Sequence, residues 1–146
     1  MYKKILVAID IEDARQPVVA LTAAAELAGL YKADLHLLHV IPAAPAYVVA
    51  EVPATVFEKT RDTTDEVMKA YSEHERFKGI KTSYSIVDGE IYRETLTAAE
   101  EEGADLIVIC AHRKGFADFL LGSNAARIVS HSKCSVLVVR SEIMTS

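Results

Sequence analysis

Four short runs of branched aliphatic residues, at 4–9 (KILVAI), 35–41 (LHLLHVI), 106–109 (LIVI) and 135–139 (SVLVV), limit most sharply what this chain can fold into. A strand that is apolar at nearly every position, rather than alternating, is one covered on both faces. A fifth, more polar run at 81–87 also has strand character. Between the runs the period turns helical. Over 16–30, Val18, Leu21, Ala25 and Ala28 recur at helical spacing, and Pro17 is tolerated in a first turn. Pro42 and Pro45 stop the second run. Residues 46–53 are apolar without a clear period.

A long amphipathic helix is expected over 55–77, with Val56, Thr63, Val67, Ala70 and His74 on one side. Its other side carries Glu58, Arg61, Asp62, Asp65, Glu66, Lys69 and Glu73, a charge run that suits a solvated face. Asp88-Gly89 turns the chain into a helix over 91–102, with Tyr92, Thr95, Leu96 and Ala99 inward and Gly103 as its C-cap. A loop from Cys110 to Leu121 leads to a short helix over 123–131. The order βαβαβαβαβ predicts an α/β fold, a three-layer sandwich whose five-stranded parallel sheet carries helices on both faces. With no repeat, low-complexity segment or linker, one domain over 1–146 is expected.

Composition narrows the function. A formal charge of −5 without a Lys/Arg cluster disfavours a nucleic-acid partner. No apolar run approaches the roughly 18 residues that cross a bilayer, so no membrane partner is expected. The opening apolar run is too short for a signal-peptide core and ends in Asp10. Cys110 and Cys134 form neither a disulfide framework nor a zinc-type spacing, which suits reduced thiols and a cytoplasmic location.

Ligands in parallel sheets bind beyond the carboxyl ends of the strands, where the winding reverses. The residues to weigh therefore follow the strands: Asp10, Val40, Asp88 and the loop opening at Cys110. Gly122, Ser123 and Asn124 open a helix, offering backbone N–H groups, a hydroxyl and the positive end of a helix dipole to an anion. His112, Arg113 and Lys114 add donors upstream. The plainer alternative makes Ser123 an ordinary N-cap and leaves the basic residues in solvent. Asp10 suits two ribose hydroxyls or a phosphate-bridging metal, or else a cap for the next helix, to which Asp13 lies nearer. The histidines form no catalytic or metal set. His36 and His39 point to opposite faces of a strand, and His74 and His131 fall near helix ends. A Walker A sequence, a GxGxxG after the first strand and a GxSxG elbow are all missing, so no catalytic residue is assigned.

Taken together, KKILVAID, LHLLHVIP, GADLIVICAHR and LLGSNAARIVSHSKCSVLVVR resemble the universal stress protein family across the whole chain. The resemblance implies a sheet order of 3-2-1-4-5 and a regulatory module of the stress response that binds an adenine nucleotide, most often ATP, with or without Mg²⁺. It places Ala8, Ile9 and Asp10 beside the adenosine and Val40 at the adenine. Cys110, His112 and Arg113 would line the phosphates, with Gly122, Ser123 and Asn124 completing the cradle. Ser135 and Val136 would close the ribose side. Nucleotide-binding members carry Gly, two residues, Gly, nine residues, then Gly-Ser or Gly-Thr. This chain keeps Gly122-Ser123 but has Ile109 and His112 where the first two glycines would fall, or Cys110 and Arg113 in a loop one residue shorter. The His-Arg pair followed by LLGSN is similar to a subgroup in which polar side chains replace those glycines. The family also implies a homodimer through the fifth strand, where Val136, Leu137, Val138 and Val139 would otherwise be an exposed edge.

Two rivals stay open on sequence. One is a dimeric member of the same family that has lost the nucleotide and acts through protein interactions. The other is an enzyme or phosphorelay receiver domain on a similar fold. Asp10 and Asp88 fit a receiver loosely, but Glu12 and Asp13 are displaced and Arg140 replaces the expected lysine.

Overall fold

The computed structural model describes residues 1–12, 16–111 and 122–140. Five parallel strands, β1 (Lys4–Ala8), β2 (Asp34–Pro42), β3 (Thr82–Gly89), β4 (Leu106–Ala111) and β5 (Ser135–Arg140), form one sheet in the order β3-β2-β1-β4-β5. This is the expected order. β1 is central, with Ile5 paired to Leu35 of β2 and to Leu106 of β4. Its register is clamped at the amino end, where Asp105 accepts from the Lys3 and Lys4 backbone N–H groups at 2.9 and 3.1 Å.

The helices are α1 (Gln16–Tyr31), α2 (Ala46–Glu51), α3 (Ala54–Ser72), α4 (Ile91–Glu102) and α5 (Ser123–His131). They cover both faces. On one side Ile5, Val7, Leu35 and Leu37 pack with Leu21, Ala24 and Ala28 of α1 and Met68 of α3. The alanines of α1 carry no bulk beyond Cβ, so that helix lies close on the strands while keeping strong helical propensity. On the other side Leu6, Leu38, Ile107 and Ile109 meet Ala98 and Ala99 of α4 and Ile128 of α5. The alternation of side chains along a strand divides the two cores.

Several sequence expectations need correction. Val18 is 43% exposed, since the inner face of α1 runs through Ala20, Leu21, Ala24 and Ala28. The helix expected over 55–77 ends at Ser72, and a separate 3₁₀ turn spans Glu75–Phe77. Its buried stripe is Thr64 and Met68 rather than Thr63, Val67 and Ala70, a rotation of one position. The aperiodic segment 46–53 contains α2, which buries no residue and so lacks the pattern by which helices are read. Asp88 and Gly89 are the last residues of β3, and the chain turns after them. α4 spans the expected residues and stops at Gly103, whose φ of 67° is left-handed.

The strand order also removes the receiver reading. A receiver needs its phosphoacceptor strand beside the first strand, as in the order 2-1-3-4-5. Here β2 separates β3 from β1, and Asp88 is engaged by Arg61 at 2.8 Å.

Candidate nucleotide-type crevice at the sheet reversal

The chain winds from β1 to β2 in one direction, while β4 lies on the other flank of β1. Helices packing on opposite faces leave a gap at such a reversal. A cavity of about 370 Å³ fills it at the carboxyl ends of β1, β2 and β4. Strand residues Ala8, Leu38, His39, Val40, Ile109 and Cys110, with Ile9 just past the end of β1, line it from the sheet. Thr60 and Thr64 of α3, Ile91 of α4, and Ser123, Asn124 and Ile128 of α5 with Gly122 just before it close its sides. Its volume and its apolar walls with a few polar groups are those of a small-molecule site.

Asp10 stands at the rim, exposed, with Oδ1 accepting the Glu12 backbone N–H at 3.0 Å. That local turn fixes the carboxylate and leaves Oδ2 without a hydrogen bond among the described residues. Gly122 is the N-cap of α5, with φ 85° and ψ 155°, a combination that side-chain-bearing residues avoid. Ser123 is thus the first helical residue and not the N-cap, and no side chain caps the helix. Among the described residues no acceptor takes the first N–H groups of α5, which stand at the positive end of its dipole.

Of the residues singled out on sequence, Ala8, Ile9, Asp10, Val40, Cys110, Gly122, Ser123 and Asn124 line this one cavity. Ser135 and Val136 do not. β5 runs parallel to β4 with Ser135 opposite Leu106, so both residues sit at the amino end of the sheet, away from the crevice. His112 and Arg113 lie outside the described residues, as does Asp13. Sequence reasoning missed His39, Thr60 and Thr64. The signal for the threonines was their four-residue spacing on a helix whose inner stripe was misjudged by one position.

A wider trough of about 720 Å³ lies between α3 and β3. It is open, and two of its polar side chains are already engaged: Arg61 with Asp88 at 2.8 Å, and the Tyr84 hydroxyl with Asp65 at 2.9 Å. No strand ends or helix N-terminus converge there, so the crevice is the better candidate site.

Residues 1–140 match the model of the universal stress protein family. The chain belongs to that family. Universal stress protein G of Escherichia coli O157:H7 is 30% identical over 143 residues, covering 96% of this chain and 100% of that protein. Among solved structures, the hypothetical protein MJ0577 is 30% identical, with a TM-score of 0.80 and 96% of each chain covered. Two more distant family structures hold nucleotides. One is a universal stress protein in complex with cAMP, at 23% identity and TM-score 0.62, covering 96% of this chain and 98% of that one. The other is the Archaeoglobus fulgidus protein in complex with dAMP, at 21% identity and TM-score 0.64, covering 94% of this chain and 98% of that one.

Proposed function

We propose that this family member is a cytoplasmic regulatory module of the stress response, one domain over 1–146, that binds an adenine nucleotide, with ATP as the favoured ligand. The observation that carries the reading is the meeting of apolar walls, Asp10 and the uncapped N-terminus of α5 at one cavity. In it the adenine lies against Ile9 and the backbone at Val40. The ribose hydroxyls donate to the unengaged oxygen of Asp10. The phosphates take the N–H groups of Gly122, Ser123 and Asn124, with Cys110, His112 and Arg113 alongside. Relatives in complex with cAMP and dAMP support the adenine class.

Among the described residues no group of three or more His, Cys, Asp or Glu could hold a metal ion by itself. A Mg²⁺ ion brought with ATP would draw on Asp10 and on the phosphate oxygens. The reading assigns no catalytic residue. It includes a homodimer through β5, a strand at the sheet edge.

Isothermal titration of ligand-stripped protein with ATP and Mg²⁺, and with AMP, tests the proposal. Saturable binding, tighter for ATP than for AMP, is the expected result. Asp10→Ala should weaken ATP about tenfold, the cost of one charge-assisted hydrogen bond, with an unchanged circular dichroism spectrum. Missing glycines at 109 and 112 favour the second reading, a nucleotide-free dimer acting through protein contacts. Folded protein that gives no heat up to about 1 mM ligand would select it.

A further inference from the structure

The side chains on the α3 side of the crevice have their hydrogens committed elsewhere. His39 is 6% exposed and lines the cavity. Its Nδ1 lies 3.1 Å from the carbonyl oxygen of Ile9, and a carbonyl only accepts, so Nδ1 carries the proton. In the neutral ring Nε2 is then a bare acceptor, and it makes no hydrogen bond among the described residues. Thr64, also buried, donates its hydroxyl proton to the Thr60 carbonyl at 2.9 Å. Thr60 donates its own to the Val56 carbonyl at 2.9 Å. Each threonine hydroxyl thus has only lone pairs left to offer a ligand, Thr64 from a buried position and Thr60 from an exposed one.

These groups share one wall. His39 alternates with Leu38 and Val40, so it points to the same face as Leu35 and Leu37, the face on which Met68 packs. Thr60, Thr64 and Met68 are one i, i+4 stripe of α3. Ser123 and Asn124 line the cavity from α5 and bring to it the backbone N–H groups of that helix's first turn.

We infer that His39, Thr60 and Thr64 are specificity-determining residues: an acceptor-only wall that faces position 6 of the base, favours an exocyclic amino group there and rejects a carbonyl oxygen. The inference rests on the nucleotide reading above and deepens it to the choice between 6-aminopurine and 6-oxopurine. A 6-amino group supplies donors to this wall. A 6-oxo group sets lone pair against lone pair at His39 and Thr64, whose burial leaves little water to intervene, and unpaired buried acceptors are costly. A purine with hydrogen at position 6 loses the donor without adding the clash.

The test is titration with ATP, ITP and purine riboside triphosphate, on the wild-type protein and on Thr64→Val and the double variant Thr60→Val/Thr64→Val. Valine keeps the shape of threonine, and the helix retains its backbone hydrogen bonds, so folding should survive. Wild-type protein should bind ATP about tenfold or more tighter than ITP, with purine riboside triphosphate between them. The double variant should narrow the ATP-to-ITP ratio to about threefold or less, and Thr64→Val should fall partway. Equal wild-type affinity for ATP and ITP would overturn the wall while leaving the nucleotide reading intact. So would an unchanged ratio in a double variant that still binds ATP. Failure of all three nucleotides to bind folded wild-type protein would overturn the nucleotide reading and this inference with it.

Discussion

His36 shows how a single side chain can tie stability to pH. It is 4% exposed, with Nδ1 2.7 Å from the Ser83 hydroxyl and Nε2 2.8 Å from the Ser85 hydroxyl, so one imidazole pins two positions of the edge strand β3. Burial holds its pKa below the ordinary 6.5; Glu102, 3.6 Å away, pulls it up, and Lys4 pushes it down. The unfolded chain therefore takes up a proton near pH 6.5 that the folded protein resists. Stability is full above that pH, falls as pH drops below it, and levels once the folded imidazole also protonates. His36→Gln should cost about 1–3 kcal/mol near pH 8 through lost hydrogen bonds. Its urea midpoint should then fall less than the wild type's between about pH 8 and pH 5.5. Parallel falls would show that other groups carry the acid sensitivity. Nothing in the sequence marked this network. Three-residue spacing puts His36 and His39 on opposite faces of β2, but the serines that satisfy His36 lie 47 and 49 residues away.

At the scale of elements, what was legible followed the strength of local signals. Gly103 ends α4 with φ 67°, and a Cβ there would meet nothing within 4 Å. Its whole value is conformational. Gly103→Ala should cost about 1 kcal/mol, read as a lower thermal midpoint with no change in ligand binding. Strands buried on both faces were plain from composition, and a left-handed stop is a signal glycine nearly monopolises. α2 was invisible because an element with no buried face imposes no period. The inner stripe of α3 was misplaced because its mixture of Thr, Val and Ala gives little contrast, and Thr64 and Met68 won only through contact with the sheet. Ser135 and Val136 were misassigned for a different reason: closeness to the crevice depends on which end of β5 they occupy, and parallel pairing puts them at the far one.

For the whole molecule the open question is its edges. β3 and β5 each have one strand neighbour. β3 is flanked by the charged groups of α3, with Arg61 reaching the Ile86 carbonyl at 3.0 Å. β5 is aliphatic, with Leu137 36% exposed and Val136 and Val138 partly covered. An edge of this kind, with no strand beyond it among the described residues, invites a second copy. Sedimentation equilibrium should find a dimer, and Leu137→Lys should shift it to monomer with an unchanged circular dichroism spectrum. A monomeric wild-type protein at about 100 μM would end the proposed pairing.

The central place of β1 has a consequence for the order in which the protein is made. Lys4–Ala8 precede both of their strand partners in the sequence, yet β1 gains its second neighbour only when Leu106–Ala111 has been synthesised, and the crevice gains its α5 wall only beyond that. A nascent chain that has made β1, β2 and β3 holds half a crevice and an open strand edge in the middle of its future sheet. The crevice is therefore closed only once α5 has been made, so its assembly belongs to the late steps of folding of this sheet.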